Sequence, residues 1–353
     1  MTTSSISTED VNIASFFTLV TPDEMRKKLP ITPGAAETVF TSRQIVANII
    51  AKRDPRKFII MGPCSIHDPI SALEYAQLVK ELSNEVKDKF LLIMRAYFEK
   101  PRTTVGWKGL INDPALDNSF NINEGLSIAR KLLIDITSSG VPVGTESLEP
   151  ISPQYIAELI SWTAIGARTT ESQTHRELAS GLSSPVGFKN NTDGNIEVAI
   201  NAIKSAGRPH HFLGIDHLGR TSIVATKGNP HCHLILRGGK ERPNYDTVSV
   251  SQALDDLKKA QITDSLVIDC SHDNSFKDFN KQPDVFFECM HQILRGNSGI
   301  VGLMLESHLY EGSQSLSNNL RYGVSITDGC ISFDKTAEII RQAYREFTLP
   351  KNG

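Results

Sequence analysis

The chain of 353 residues lacks several features that would each indicate a particular class of protein. It has no apolar run long enough to span a bilayer, and its N-terminus has neither the basic nor the apolar region of a signal peptide. With a formal net charge of -3 it has no overall basic field that would attract nucleic acid or a membrane surface. These absences predict a cytosolic protein that binds neither nucleic acid nor membrane.

Cysteine is scarce, and its arrangement contains no motif for a redox pair or a zinc site. The five cysteines include no Cys-x-x-Cys pair; they are Cys64, Cys232, Cys270, Cys289 and Cys330. In a reducing compartment the ordinary role of such a residue is a buried thiol, with metal binding as the exception. His231 and His233 lie on either side of Cys232 beside a predicted strand, which indicates core and hairpin residues rather than a metal site.

A glycine-rich dinucleotide-binding motif is also missing. No Gly-x-Gly-x-x-Gly run follows the first predicted strand, which disfavours an open doubly wound sheet, the competing architecture for this sequence. The chain has instead eight short runs of apolar or small residues, as buried parallel strands tend to have. They cover residues 57–61, 90–94, 141–144, 162–167, 185–188, 233–236, 265–268 and 299–305.

Amphipathic helical patterns lie between most of these runs. The alternation predicts a parallel sheet, and eight such units predict its closure into a (β/α)8 or TIM barrel over residues 51–353. Asp68 and Pro69 are placed to begin the helix after the first strand. The pattern lapses between residues 207 and 231, where two apolar runs flank a polar turn and predict an inserted β-hairpin near residues 211–226.

Residues 1–50 precede the first predicted strand and lie outside the repeating pattern. Thr21 is placed to begin one helix, and residues 41–50 have the pattern of a second. We expect this N-terminal extension to pack against the barrel or against a neighbouring subunit.

Each predicted strand is followed by a polar residue. The first strand is followed by Cys64, within the run Met61-Gly-Pro-Cys-Ser-Ile-His-Asp-Pro69. Taken singly, a cysteine after a strand is usually buried, and an arginine at a strand end usually belongs to a salt bridge. In a barrel, however, the loops after the strands share one face, and inward charges are costly unless they pair with each other or with a ligand. The polar ends are Cys64, Arg95, Glu146, Arg168, Lys189, Arg237, Asp269 with His272, and Glu306.

One group of these residues has the composition of a metal site. Cys64, His272 and Glu306, together with Asp328 from the run Ile326-Thr-Asp-Gly329, offer sulfur, nitrogen and oxygen donors. Such a mixed set suits one divalent ion of Mn, Fe, Co or Zn better than it suits magnesium. Asp328 is equally suited to cap a helix or a turn, so its role stays open at this point.

A second group consists of four cations, Arg95, Arg168, Lys189 and Arg237. A phosphate and a carboxylate on one small molecule would satisfy them, because arginine pairs bidentately with both groups. The loop after the second strand adds a basic run beside this group, and such a run is suited to hold a second phosphate. Its residues are Lys100, Arg102, Thr103 and Thr104.

Several long motifs occur in an order that is specific for one enzyme family. They are Gly62-Pro-Cys-Ser-Ile-His-Asp68, Arg95 followed by Lys100-Pro-Arg-Thr-Thr104, Gly166-Ala-Arg-Thr-Thr-Glu-Ser-Gln173, Gly187-Phe-Lys189, Leu236-Arg-Gly-Gly239, Asp269-Cys-Ser-His272 and Glu306-Ser-His308. From about residue 15 to 347 the chain resembles type I 3-deoxy-D-arabino-heptulosonate 7-phosphate (DAHP) synthase, in its short feedback-regulated bacterial and fungal form. The resemblance implies a TIM barrel, a divalent metal ion, and condensation of phosphoenolpyruvate with D-erythrose 4-phosphate at the entry to aromatic amino acid synthesis.

The resemblance also implies roles for single residues. The metal ligands match Cys64, His272, Glu306 and Asp328. The phosphoenolpyruvate contacts match Arg95, Lys100, Arg168, Lys189 and Arg237, and the sugar-phosphate site matches Arg102 and Thr103. The sequence departs from the family pattern at Asn191, Asp273 and Gly329, and none of these replaces a matched contact.

The candidate catalytic residues are Lys100, Glu146 and His272. Lys100 would donate a proton to the new hydroxyl, and Glu146 would orient or deprotonate the attacking water. The resemblance further implies a homodimer or homotetramer and inhibition by an aromatic amino acid, with residues 1–50 and the hairpin serving assembly and regulation. Two alternatives stay open: a sister synthase that uses another sugar phosphate, such as arabinose 5-phosphate, and a non-catalytic effector-binding subunit.

Overall fold

The computed structural model describes residues 8–102 and 106–349 of the chain. The strands in these residues are β1 Lys57–Gly62, β2 Phe90–Arg95, β3 Val143–Glu146, β4 Trp162–Ile165, β5 Val186–Lys189, β6 His211–Ile215, β7 Thr221–Ala225, β8 Cys232–Leu236, β9 Leu266–Asp269, β10 Ile300–His308 and β11 Ile331–Ser332. Eight of them, β1 to β5 and β8 to β10, pair in parallel in that order, and β1 also pairs with β10. The sheet is therefore a closed (β/α)8 barrel, which confirms the predicted fold and excludes an open doubly wound sheet.

Helices alternate with the barrel strands, as predicted. They are α1 Pro22–Lys28, α2 Pro33–Ile50, α3 Pro69–Val86, α4 Ile122–Ser138, α5 Pro153–Ile156, α6 Gln173–Gly181, α7 Glu197–Ala206, α8 Thr247–Lys259, α9 Gln282–Leu294 and α10 Phe333–Glu346. The predicted start of α3 is confirmed, since the Asp68 carboxylate accepts hydrogen bonds from the backbone N–H groups of Ile70 and Ser71. Among the described residues, no helix combines the length and the apolar character needed to cross a bilayer.

The barrel strands bury both of their faces, and successive residues alternate between two apolar cores. In β1, Phe58 and Ile60 belong to the core inside the barrel, whereas Ile59 and Met61 belong to the core between the barrel and its helices. A strand that is buried on both sides needs apolar residues at every position. This explains why the strands are visible in the sequence as continuous apolar runs.

Helix α2 covers the N-terminal end of the barrel. Val46, Ile49 and Ile50 belong to the same apolar cluster as the barrel interior. Arg43 ties the helix to the loop before β4 by donating a hydrogen bond from Nε to the backbone oxygen of Ile160 at 2.9 Å. The segment before the first strand therefore contributes side chains to the barrel core.

The same segment contains two helices, as predicted. Thr21 caps α1, and Thr32 caps α2, so that α2 begins earlier than the predicted helix over residues 41–50. The division of the chain into an extension of residues 1–50 and a barrel of residues 51–353 stays a prediction.

The predicted β-hairpin near residues 211–226 is confirmed. Strands β6 and β7 pair in antiparallel fashion, with Leu213 opposite Ile223. The backbone N–H of Asp23 donates a hydrogen bond to the carbonyl oxygen of His217 at 2.9 Å. The turn of the hairpin therefore contacts the start of α1.

A hydrogen-bonded histidine lies inside the barrel near its N-terminal end. His233 is fully buried, its Nε2 accepts a hydrogen bond from Trp162 Nε1 at 3.1 Å, and its Nδ1 lies 3.3 Å from the carbonyl oxygen of His231. These contacts require a neutral ring that carries its proton on Nδ1. Burial lowers the pKa of His233 to about 4. The expectation that His233 is a core residue is therefore confirmed.

We expect the free energy of unfolding to decrease as the pH falls from about 6.5 to about 4. The folded chain resists protonation of His233 until about pH 4, whereas the unfolded chain accepts the proton near 6.5. Protons therefore favour the unfolded state in this window, by up to about 1.4 kcal/mol per pH unit. Urea unfolding at several pH values should give a shallower pH dependence for His233→Gln than for the wild type.

His211→Gln is the matched control, because His211 is exposed on β6. It should keep the pH dependence of the wild type. An equally steep dependence in His233→Gln would contradict a neutral imidazole inside the barrel.

Candidate active site

A cavity of about 490 Å³ opens where the barrel strands end. Most of the predicted site residues line it: Arg95, Lys100, Arg102, Glu146, Arg168, Lys189, Arg237, His272, Glu306 and Asp328. Cys64 is fully buried beside the cavity, and Thr103 lies outside the described residues. The barrel thus brings residues from seven different strand ends to one place, since the loops after parallel strands share one face.

Three donor atoms at this cavity are close enough to share one metal ion. One donor atom each from Cys64, Glu306 and Asp328 lies within 4.8 Å of the other two, and Cys64 Sγ is 3.5 Å from Asp328 Oδ2. Bonds from a first-row divalent ion to such donors are about 2.0–2.3 Å long, so donors on opposite sides of an ion are up to about twice that far apart. The cluster therefore fits an ion of this size.

His272 approaches the same cluster and is held by a buried carboxylate. Its Nε2 lies 3.8 Å from Glu306 Oε1, and its Nδ1 lies 2.9 Å from Asp269 Oδ2. A histidine that donates one ring N–H to a carboxylate presents its other nitrogen as a metal ligand. The backbone φ of His272 is 57°, in the left-handed region that residues with a side chain rarely adopt. The imidazole is thus oriented at a cost in backbone energy, as is common at functional sites.

The thiol of Cys64 lies among charged groups. Burial, followed by the Glu306 carboxylate, raises the pKa of the thiol to about 11, and Lys100 opposes this effect. The Lys100 ammonium donates a hydrogen bond to Cys64 Sγ at 3.1 Å. Because a thiol binds a metal as the thiolate, ligation here depends on a cation that offsets the burial.

Asp269 is a fully buried carboxylate that connects the two groups of site residues. It accepts a hydrogen bond from Lys189 Nζ at 2.8 Å and also contacts His272. Burial would raise the pKa of Asp269, but His272 and Lys189 lower it well below its usual value. The carboxylate is therefore ionised, and it fixes an ammonium group and an imidazole together.

Arg95 lies at the floor of the cavity and is 1% exposed. Its Nη2 donates to Glu306 Oε1 at 2.9 Å, and its Nε donates to the carbonyl oxygen of Pro63 at 3.0 Å. The guanidinium carbon lies 3.6 Å from the centre of the Tyr97 ring, which is a cation–π contact. These contacts hold the side chain in one orientation before any anion binds.

The other cations lie at different depths in the wall. Lys189 and Arg237 are buried at the ends of β5 and β8, whereas Arg168 is exposed in the loop after β4. Arg237 pairs with Asp273 of the loop after β9. Arg102 lines the cavity from the loop after β2. The arrangement is suited to an anion with two charged groups, because several cations converge from different loops.

Glu146 ends β3 and lies against Gly166. A Cβ placed on Gly166 would be 2.1 Å from Glu146 Oε1, a distance that no real contact reaches. Only glycine at this position leaves room for the carboxylate where it now lies.

Three side chains at the site received no role from the sequence. Tyr97 follows Arg95 by two residues, the spacing that puts side chains on one face of an extended chain. Asp269 was recognisable as the end of a buried strand, where a carboxylate needs a cationic partner. Asp273 gave a signal only as a departure from the family pattern.

The chain is similar to known proteins over most of its length. Residues 29–341 match the model of the DAHP synthetase I family. The Phe-sensitive phospho-2-dehydro-3-deoxyheptonate aldolase of Escherichia coli K12 is 54% identical over 336 residues, which cover 95% of this chain and 96% of that protein. The Tyr-sensitive protein of Salmonella typhimurium is 51% identical over 342 residues, 96% of each chain. The tyrosine-inhibited protein of Candida albicans is 49% identical over 342 residues, 94% of this chain and 92% of that protein.

A solved structure is also similar. The phospho-2-dehydro-3-deoxyheptonate aldolase of Francisella tularensis SCHU S4 superposes with a TM-score of 0.94 at 48% identity, and the match covers 97% of this chain and 100% of that chain. The likeness thus extends over nearly the whole chain in both sequence and fold. This chain belongs to the DAHP synthetase I family.

Proposed function

We propose that this chain is a DAHP synthase, a transferase that condenses phosphoenolpyruvate with D-erythrose 4-phosphate and water to give DAHP and phosphate. This reaction is the first step of the shikimate pathway to the aromatic amino acids. The observation that carries the proposal is a single cavity in which a mixed sulfur, nitrogen and oxygen donor cluster lies beside a group of cations. The names of the relatives support the same reaction.

Cys64, His272, Glu306 and Asp328 would hold one divalent ion of Mn, Fe, Co or Zn. The spacing of the donor atoms and the Asp269 contact that leaves His272 Nε2 free for ligation support this assignment. Their mixture of donor types favours these ions over magnesium. When bound, such an ion supplies Lewis acidity to the aldehyde oxygen of erythrose 4-phosphate. His272 would take part in catalysis through this ligation.

The cation group would bind and orient phosphoenolpyruvate. Arg95 and Lys189 are fixed in advance by Glu306 and Asp269, so that little reordering accompanies anion binding. Holding the substrate by both charged ends places its carbon 3 for attack on the aldehyde carbon, and the same positive charges stabilise the phosphate as it leaves. The residues that contact its carboxylate and phosphate would be Arg95, Lys100, Arg168, Lys189 and Arg237.

The remaining assignments concern the second substrate and the proton transfers. Arg102 and Thr103 would hold the phosphate of erythrose 4-phosphate. Lys100, whose Nζ lies 3.1 Å from Cys64 Sγ at the edge of the donor cluster, would donate a proton to the new hydroxyl. Glu146 would orient or deprotonate the water that adds to carbon 2, from its place in the cavity wall.

We expect the isolated protein to release phosphate from phosphoenolpyruvate when erythrose 4-phosphate is present. Release with arabinose 5-phosphate should be slower by at least about tenfold in kcat/KM, because the basic loop after β2 is assigned to the four-carbon sugar phosphate. A continuous phosphate-release assay with each aldehyde measures both rates.

A preference for arabinose 5-phosphate would identify a sister synthase instead. An absence of turnover by the isolated, metal-loaded protein would contradict the proposal and favour a non-catalytic subunit.

We expect a chelator to abolish this activity and Mn²⁺ to restore it. Cys64→Ala should lose the restoration, because the loss of a hydrogen-bond partner of a ligand already costs about 10–100-fold in metal affinity and the loss of a ligand costs at least as much. Cys289→Ala is the matched control, since Cys289 is a buried thiol on α9. Activity after chelation should be measured against Mn²⁺ concentration. Equal restoration in both variants would refute ligation by Cys64.

Regulation by an aromatic amino acid is also proposed, with residues 1–50 and the hairpin involved in it and in a homodimer or homotetramer. The names of the relatives, which include Phe-sensitive and Tyr-sensitive proteins, support this proposal. We expect one of L-phenylalanine, L-tyrosine and L-tryptophan to inhibit phosphate release, and its D-enantiomer to have no effect at the same concentration. The absence of inhibition by all three would contradict it. The cytosolic location stays a prediction.

A further inference from the structure

Arg237 and Asp273 form an ion pair in the wall of the cavity. Arg237 Nη1 donates a hydrogen bond to Asp273 Oδ2, and the two side chains are 7% and 16% exposed. Gly238 permits this pairing, since its φ is +83° and a Cβ there would lie 2.9 Å from Asp273 Cβ and 2.5 Å from the backbone nitrogen of Asn274. The fold therefore brings a carboxylate from the loop after β9 directly against the arginine that ends β8.

Three cations of the cavity pair with carboxylates, and the carboxylates differ in how firmly they are held. Asp269 is fully buried, and its carboxylate contacts Ser271 as well as Lys189. Glu306, paired with Arg95, is 2% exposed.

Asp273 is more exposed than either of these acids. Within the described residues, Arg237 is the one side chain found in hydrogen-bonding or ion-pair contact with its carboxylate. Of the three acids it is thus the one that can move away from its cation with the smallest loss of other contacts.

We propose that Asp273 is an internal counter-ion that competes with the substrate anion for Arg237, and thereby limits the affinity of the enzyme for phosphoenolpyruvate. This inference rests on the proposed function, in which Arg237 contacts that substrate. An anion that approaches Arg237 meets a guanidinium group that is already paired. Either the carboxylate leaves, or two negative groups share one cation, and both outcomes cost binding free energy.

If Asp273 had a purely structural role, removing its carboxylate would have the opposite effect on the affinity for the anion. If the carboxylate only held Arg237 in place, its removal would loosen the guanidinium group and weaken anion binding. The backbone of Arg237 is fixed separately, because its N–H donates a hydrogen bond to Asn190 Oδ1 at 2.9 Å. The end of β8 therefore keeps its position without Asp273, and Arg237 becomes available to the substrate.

The test compares Asp273→Asn, which keeps the shape of the side chain and removes its charge, with Asp273→Glu, which keeps the charge. We expect the KM for phosphoenolpyruvate to fall about tenfold in Asp273→Asn, equivalent to about 1.4 kcal/mol. Any decrease in kcat should be smaller than the decrease in KM. Asp273→Glu should show a much smaller decrease in KM. Calorimetric titration with inorganic phosphate should give a parallel fall in Kd.

Asp255→Asn is the control for net charge. Asp255 is exposed on α8, and its substitution removes one negative charge, as Asp273→Asn does. It should leave both constants at their wild-type values. An unchanged or raised KM and phosphate Kd in Asp273→Asn would overturn the inference. A failure of the proposed function is distinguishable from a failure of this inference, because it appears as absent turnover in the wild type. In that case the phosphate titration still compares the wild type with Asp273→Asn.

Discussion

Charged groups removed from water determine how this site is built. The Asp269 carboxylate is fully buried at the end of β9, and it is stable there because Lys189 and His272 contact it. The ammonium group belongs to the proposed anion site and the imidazole to the proposed metal site. One acid therefore fixes the distance between the two halves of the site, and neither half can be moved without exposing a buried charge to an apolar surrounding.

Buried polar groups are stabilised differently at the two ends of the barrel. At the N-terminal end, α2 covers the opening and His233 is kept neutral by burial and by its hydrogen bond from Trp162. At the other end Arg95 and Glu306 are buried together, and Arg95 Nη2 donates a hydrogen bond to Glu306 Oε1 at 2.9 Å. The barrel interior beneath the cavity is therefore apolar and uncharged. The charged groups of the site lie at the end of the barrel where the loops supply partners for them.

The sequence was sufficient to predict the barrel, its hairpin and the set of residues that converge at the strand ends. Strands buried on both faces appear in the sequence as continuous apolar runs. In a parallel barrel the polar residues that follow these runs share one face. The partners of those residues were not predictable in the same way. Asp269 contacts a residue 80 positions earlier in the chain, and such a contact is specified by packing rather than by local pattern.

The sequence pattern underestimates the length of α2 for a related reason. Its first half carries a weaker apolar pattern, and the helix begins where Thr32 caps it. Its cover over the barrel end depends on Val46 and Ile49 meeting strands that lie elsewhere in the sequence. Local periodicity identifies a helix, but it does not identify the surface that the helix covers.

The hydrogen bond from Trp162 to His233 gives the barrel an optical signal of its own. The chain has two tryptophans, and they lie in different surroundings: Trp162 inside the barrel, and Trp107 in the loop after β2, where its Nε1 donates to the carbonyl oxygen of Asp113 at 2.8 Å. A protonated imidazole quenches indole fluorescence by accepting an electron from the excited ring, whereas a neutral imidazole quenches it far less. The emission of Trp162 therefore reports the charge state of the barrel interior, while that of Trp107 reports the loop above the cavity.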